Sequence, residues 1–310
     1  MTYIRDRKGR FSKPLLRFSF FAICLVLLIG IGVLSGRGGK KPEIAGDPAG
    51  DAQAIENKGS DTLVNLALAW AEEYMKSHPK VRISVTGGGS GTGIAAMING
   101  TVSIANASRE MKPEEIWAAR MNGIDPVQFV VAHDAIAVVV SPSNPVSRLT
   151  FKQISDIYTG KIRNWAEIGG ENRPIVLLSR ESNSGTYVYF LENVIRMGND
   201  KSKLLFSPDT LLMPSSEGIS SEIRQNPNAI GYDGLGYVTE DQKVIAVSKN
   251  ENGPFVLPSA KTVKNCSYPI ARPLYMYTAE NPTGQIKDYM EWILSGGQTL
   301  VAKLGFVPLQ

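Results

Sequence analysis

The sequence predicts an α/β protein whose sheets are covered by helices, and three observations support this. From Ile55 onward, helical and strand-like apolar runs alternate. The strand-like runs are short and β-branched, as in Val81–Val85. Loops rich in Gly, Ser and Thr recur just before the predicted helices.

The elements follow in order. Leu63, Leu66, Ala67, Trp70 and Tyr74 have helical spacing and predict a helix over Leu63–Ser77, ending before His78-Pro79. Val81–Val85 reads as a strand, Gly87–Gly93 as a glycine loop, and Ile94–Asn99 as the beginning of a second helix. Val127–Val140 is apolar for long enough to be a buried strand. Ile175–Leu178 reads as a strand and Tyr187–Met197 as a helix. No internal repeat is present.

A chain of 310 residues, 43% hydrophobic and 20% charged, is long enough for one large or two medium domains with a real core. The formal charge of +4 hints at a polyanionic partner, but its distribution argues otherwise. Arg5, Arg7, Lys8, Arg10, Lys13 and Arg17 against Asp6 put +5 of that +4 total in the first 17 residues, leaving −1 for the rest. A nearly neutral body lacks the footprint of a nucleic-acid binder. The basic start precedes an uncharged apolar run, Phe18–Leu34, which would span about 25 Å as a helix against a hydrocarbon core of about 30 Å. Residues 1–36 are therefore expected to be a cytoplasmic start and a signal peptide or membrane anchor that exports the body. Cleavage is left open: Val33 and Ser35 are small enough to precede a cut, but no Ala-x-Ala stands at the end of the run. Cys24 lies inside the run and not at its end, which argues against a lipid anchor. Arg37 to about Ala54 is expected to be a flexible tether. Cys266 is expected to be a buried small hydrophobe.

Three segments share one chemistry: Gly59-Ser60-Asp61-Thr62, Gly87–Gly93 with Ser90 within it, and Ser184-Gly185-Thr186. Each places hydroxyls and pliant backbone before a predicted helix, where unsatisfied N–H groups and a partial positive charge favour an anion. Any one of them alone reads as an N-cap. Together, with no lysine, they suggest a cage of neutral donors. Arg180 stands four residues before Ser184 and offers a planar fork to an oxyanion; its bland alternative is a surface pair with Glu181. Gly91-x-Gly93-x-x-Ala96 lacks the acidic residue of a dinucleotide site, and no Gly-Lys-Ser/Thr of a phosphate loop is present. With only His78 and His133, a histidine-rich metal centre is excluded and a Ser-His-Asp triad would rest on one histidine. His133 beside Asp134 reads as an ordinary strand-loop residue. No cofactor is expected.

Taken in order, these segments resemble the phosphate-binding proteins of bacterial ABC importers. The resemblance runs from about Asn57 to Leu309. Leu149–Trp165 is its most specific stretch, joined by Ile104–Met111, Ala229–Tyr237 and Arg272–Tyr277. It implies a type II two-lobed binding-protein fold with two crossover strands as hinge. One lobe would hold residues 55–140 and 271–310, the other residues 141–270. The implied ligand-binding residues are Ser60, Asp61, Thr62, Ser90, Ser108, Arg180, Ser184, Gly185 and Thr186. Two positions depart from the family: Ser108 and Ser182 stand where many members carry an acid. Asp61 could then accept the ligand's proton, or Arg109 could add charge. The implied function is extracytoplasmic binding of inorganic phosphate by a monomer that delivers it to a membrane permease. The alternatives are a phosphate sensor, a sulfate or molybdate binder, and a tethered phosphohydrolase using Ser90 or Ser184.

Overall fold

The computed structural model describes residues 54–309. The export segment expected over residues 1–36 and, apart from Ala54, the tether expected over residues 37–54 lie outside the described residues. Strand β1 (Ala54–Gly59) turns Ile55, Asn57 and Gly59 inward and leaves Ala54 and Glu56 exposed, the period-two pattern of a strand with one covered face. Helix α1 (Asp61–Ser77) buries Leu63, Leu66, Ala67, Trp70 and Tyr74 on one stripe. It stops at His78, since a residue before proline is pushed out of the helical region.

Strand β2 (Arg82–Thr86) lies parallel to β1. Helix α2 (Ser90–Ile98) starts earlier than the sequence suggests, so only Gly87–Gly89 remain loop. Close packing overrides the poor helix propensity of Gly91 and Gly93: a Cβ at Gly93 would lie 2.4 Å from the Lys58 carbonyl oxygen. Next come β3 (Ile104–Ala107), α3 (Pro113–Met121) and β4 (Val127–Val140), the last matching its predicted limits. They are followed by β5 (Arg148–Thr150), α4 (Phe151–Tyr158) and β6 (Val176–Arg180). The helix expected over Tyr187–Met197 begins two residues earlier, as α5 (Gly185–Phe190), and widens to a π-helical turn at Leu191–Ile195. The remaining elements are β7 (Leu211–Met213), α6 (Ser216–Gln225), β8 (Ala229–Gly234), β9 (Lys243–Val244), β10 (Ala246–Ser248), α7 (Ala260–Lys264), β11 (Ala271–Thr278), α8 (Gly284–Leu294) and α9 (Gln298–Lys303).

Nine strands pair in the order β2-β1-β3-β11-β4-β8-β6-β7, with β9 also on β4. Strands β1, β2 and β3 are mutually parallel, as are β6, β7 and β8. Strand β4 links the two groups. It pairs antiparallel with β11 through Ala135, then with β8 from Ile136 to Val140. Each half has its own apolar core. One gathers Leu63, Trp70, Leu274, Tyr289 and Phe306; the other gathers Ile136, Tyr158, Phe190, Tyr232 and Ile270. In the second core the Phe190 and Tyr232 rings stack with centroids 3.7 Å apart.

Cys266 corrects an expectation. It is exposed and adopts φ 57° just past α7, in the left-handed region that ends many helices, and this turns its thiol outward. Among the described residues, no helix is long and apolar enough to cross a membrane.

Trp70 is fully buried and its Nε1 donates to the Gly297 carbonyl at 2.8 Å, tying α1 to the segment before α9. Trp70→Ala should therefore lower the unfolding free energy by about 3–5 kcal/mol in a guanidinium titration.

Candidate functional site

Every loop singled out by its chemistry lies at the carboxyl end of a parallel strand. Ser60 follows β1, Ser90 follows β2 and Ser108 follows β3, while Ser184 follows β6. In open α/β sheets this edge is where helix starts and free N–H groups converge on a ligand.

At the start of α1, the Ser60 amide donates to the Asn106 carbonyl at 2.8 Å. The Ser60 hydroxyl makes no cap and is buried with no hydrogen-bond partner, so capping does not explain this serine. Thr62 Oγ1 lies 2.9 Å from Thr186 Oγ1, joining the starts of α1 and α5. Ser90, in the first turn of α2, accepts from the Ser108 amide at 3.0 Å, and the two hydroxyls are 3.3 Å apart. Gly185 faces both: a Cβ there would lie 2.4 Å from Ser90 Oγ and 2.6 Å from Ser108 Oγ. Only glycine lets α5 come this close. Ser184 does cap, accepting from the Thr186 amide at 3.2 Å.

Arg180 is buried, which rules out the surface pair with Glu181. Its guanidinium meets Asp61 Oδ2 at 2.9 Å, Ser216 Oγ at 3.0 Å, the Pro214 carbonyl at 2.9 Å and the Met213 carbonyl at 3.3 Å. Asp61 Oδ2 also accepts from the Ser216 amide at 2.9 Å. The structure thus brings Ser60, Thr62, Ser90, Ser108, Ser184, Gly185 and Thr186 together, with Arg180 and Asp61 paired beside them. Arg109 does not add free charge to this group. Both its Nη atoms donate to Glu115 at 2.7 Å, in the bidentate geometry that neutralises a guanidinium.

Four residues escaped the sequence reading. Arg272 donates to Asp134 Oδ2 at 2.9 Å, to Thr186 Oγ1 at 3.0 Å and to the Ser108 carbonyl at 3.1 Å. It is the second residue of β11 and lies 86 residues from Thr186, so no local pattern assigns it to the site. Its partner Asp134 is wholly buried; burial raises its pKa against the pull of Arg272. Asp233 is 1% exposed, and its Oδ1 accepts from Ser216 Oγ and the Gly234 amide, each at 2.8 Å. Its Oδ2 is buried with no partner, and burial pushes the carboxyl up to about 7 even though Arg180 draws it down. Asn183 clamps the glycine loop: Nδ2 donates to the Gly88 carbonyl at 2.9 Å, and its own carbonyl accepts from the Gly91 amide at 2.9 Å. The sequence signal for Asn183 was its place inside Ser182-Asn-Ser184, masked there by the hydroxyls.

Chemically, the site offers hydroxyl and amide donors and two guanidiniums already matched by carboxylates. Such a set suits an oxyanion held by many hydrogen bonds and not by a free counter-charge.

Comparisons agree with this chemistry. The profile of the PBP superfamily domain fits residues 46–296. The phosphate-binding protein PstS of Pseudomonas aeruginosa is 33% identical, over 89% of this chain and 92% of that protein. That of Bacillus subtilis is 31% identical over 90% of each. Among solved structures, a Clostridium perfringens substrate-binding protein assigned to phosphate ABC transport, with bound phosphate, is 34% identical at a TM-score of 0.73. It spans 83% of this chain and 100% of its own. These neighbours share the two-lobed α/β fold.

The buried Asp233 carboxyl makes stability depend on pH with a definite sign. Its pKa rises from 3.8 to about 7 on folding, so its contribution is fully present below about pH 4 and is lost as pH rises through 7. Relative to Asp233→Asn, the wild-type protein should lose thermal stability between pH 4 and 7 and then level off, as read by differential scanning calorimetry.

Proposed function

We propose, for a chain that belongs to the PBP superfamily and within it to the PstS-like phosphate-binding proteins, that it captures inorganic phosphate outside the cytoplasm and delivers it to the membrane permease of an ABC importer. The observation that carries this reading is the meeting of three helix starts beside Arg180: Thr62 of α1 lies against Thr186 of α5, and Ser90 of α2, with Ser108, lies against Gly185 of α5. In this reading the chain binds and releases its ligand, in keeping with relatives that are named as binding proteins and not as enzymes. Ser90 and Ser184 are taken up by Ser108 and Thr186, with no histidine in contact with either.

In this proposal Ser60, Thr62, Ser90 and Ser108 donate from one lobe, residues 55–140 with 271–310. Arg180, Ser184, Gly185 and Thr186 donate from the other, residues 141–270. Asp61 accepts the proton that a protonated phosphate still carries, a donor that sulfate lacks. The Ser60 hydroxyl, buried and unpartnered, is a ready donor. Burying an anion is costly unless all its oxygens are hydrogen-bonded, and charge-assisted bonds worth about 1.5–3 kcal/mol each offset that cost. The lobes close about β4 and the start of β11. The permease then meets the closed form, so phosphate shifts the population that can dock. The N-terminal segment exports the body or anchors it to the membrane.

Arg180→Ala should weaken phosphate binding by about 100-fold or more in a calorimetric titration, with circular dichroism confirming the fold. Undiminished affinity would show that the anion binds elsewhere.

Asn183→Ala should act differently, because it removes the side-chain half of a clasp between Gly88 and the loop before α5. Phosphate should leave several-fold faster in stopped flow, with the association rate nearly unchanged.

A further inference from the structure

Two guanidiniums and three carboxylates share the interior around the anion site. Arg272 touches Asp134 and Arg180 touches Asp61, each at 2.9 Å. Asp233 is the third carboxylate and, among the described residues, has no cation within hydrogen-bond reach. Its Oδ1 is reached only by the Ser216 hydroxyl and the Gly234 amide, and its Oδ2 has no partner. The charged and titratable groups facing it are Arg180 on β6 and Asp134 on β4. Tyr237, just beyond β8, also faces it, and Tyr237 in turn senses Asp61 on α1 and Glu217 on α6.

The connection to the anion site is one hydroxyl long. Ser216 Oγ accepts from Arg180 Nη1 at 3.0 Å and donates to Asp233 Oδ1 at 2.8 Å. An anion on Arg180 therefore adds negative charge to an interior that already has one carboxylate in excess. A buried charge without a partner is neutralised by protonation sooner than it is kept. Asp61 and Asp134 each contact an arginine directly, and Asp233 does not. The proton falls to Asp233.

We propose that Asp233 sets the affinity of the site by taking up one proton from solvent when the anion binds, an inference that rests on Arg180 being an anion contact. The proton adds to Oδ2, while the Ser216 hydroxyl continues to donate to Oδ1. The complex gains one proton per anion. Because burial already holds this carboxyl near 7, it is mostly ionised at pH 8 and already protonated at pH 5.5. Uptake should appear at the higher pH and vanish at the lower one.

The test is calorimetry of the full chain with inorganic phosphate at pH 8 and pH 5.5, in buffers of differing ionisation enthalpy. At pH 8 the wild type should take up more protons than Asp233→Asn, by up to one per phosphate, and the difference should disappear at pH 5.5. Above pH 7 the wild-type affinity should also fall relative to the variant by about tenfold per pH unit. A normal isotherm with equal uptake in the two proteins overturns the inference and leaves the phosphate reading standing. The absence of any isotherm in the wild type overturns both. Should Asp233→Asn fail to fold, Ser216→Ala cuts the bridge and keeps the carboxylate; uptake at pH 8 must then shrink, and unchanged uptake sinks the idea.

Discussion

The centre of the molecule is held by a guanidinium and a carboxylate that both lie out of water. Arg272 is the second residue of β11, Asp134 sits in β4, and these are the strands on which the two halves meet. From that point Arg272 reaches the Ser108 carbonyl on one side and the Thr186 hydroxyl on the other. Removing either charge would leave the other buried and alone, which costs far more than the pair gains. The two antiparallel strands, the loop after β3 and the start of α5 are thus positioned by one ion pair. The rest of the site is arranged around it.

The same logic explains why neither guanidinium of the site is left unpaired. Arg180 and Arg272 each have a direct carboxylate, so neither waits as a bare cation for a ligand. In the proposed function, attraction for an anion then comes from helix starts and hydroxyls, whose geometry is fixed by packing. Such donors need little reorganisation when an oxyanion arrives. They also discriminate by hydrogen-bond pattern, whereas a free charge would welcome any anion.

Much of the fold could be read from local pattern. The stripe of α1 and the apolar run of β4 emerged with nearly their observed limits, because burial on one face or on both leaves a periodic trace. The start of α2 could not be read. Its glycines look like loop, and only contact with the Lys58 carbonyl shows why they are helical. The hydroxyls of the site were legible because they precede helices. Arg272, Asp134 and Asp233 were not, since each sits in a strand whose neighbours are apolar and finds its partner across the fold. Cys266 failed for a different reason: composition predicts average burial and is blind to a left-handed turn at a helix end.

The glycine run after β2 invites the view that its bareness serves the ligand. Its surroundings suggest a second cause. A Cβ on Gly89 would lie 2.9 Å from the Asn183 carbonyl oxygen, and one on Gly91 would lie 3.2 Å from it. These positions are therefore kept bare by another part of the same chain. The closest atom in both cases is the backbone carbonyl oxygen of residue 183, more than 90 positions away in the chain. The segment around Asn183 and this loop form one packed unit, so grafting either alone would transplant half a joint.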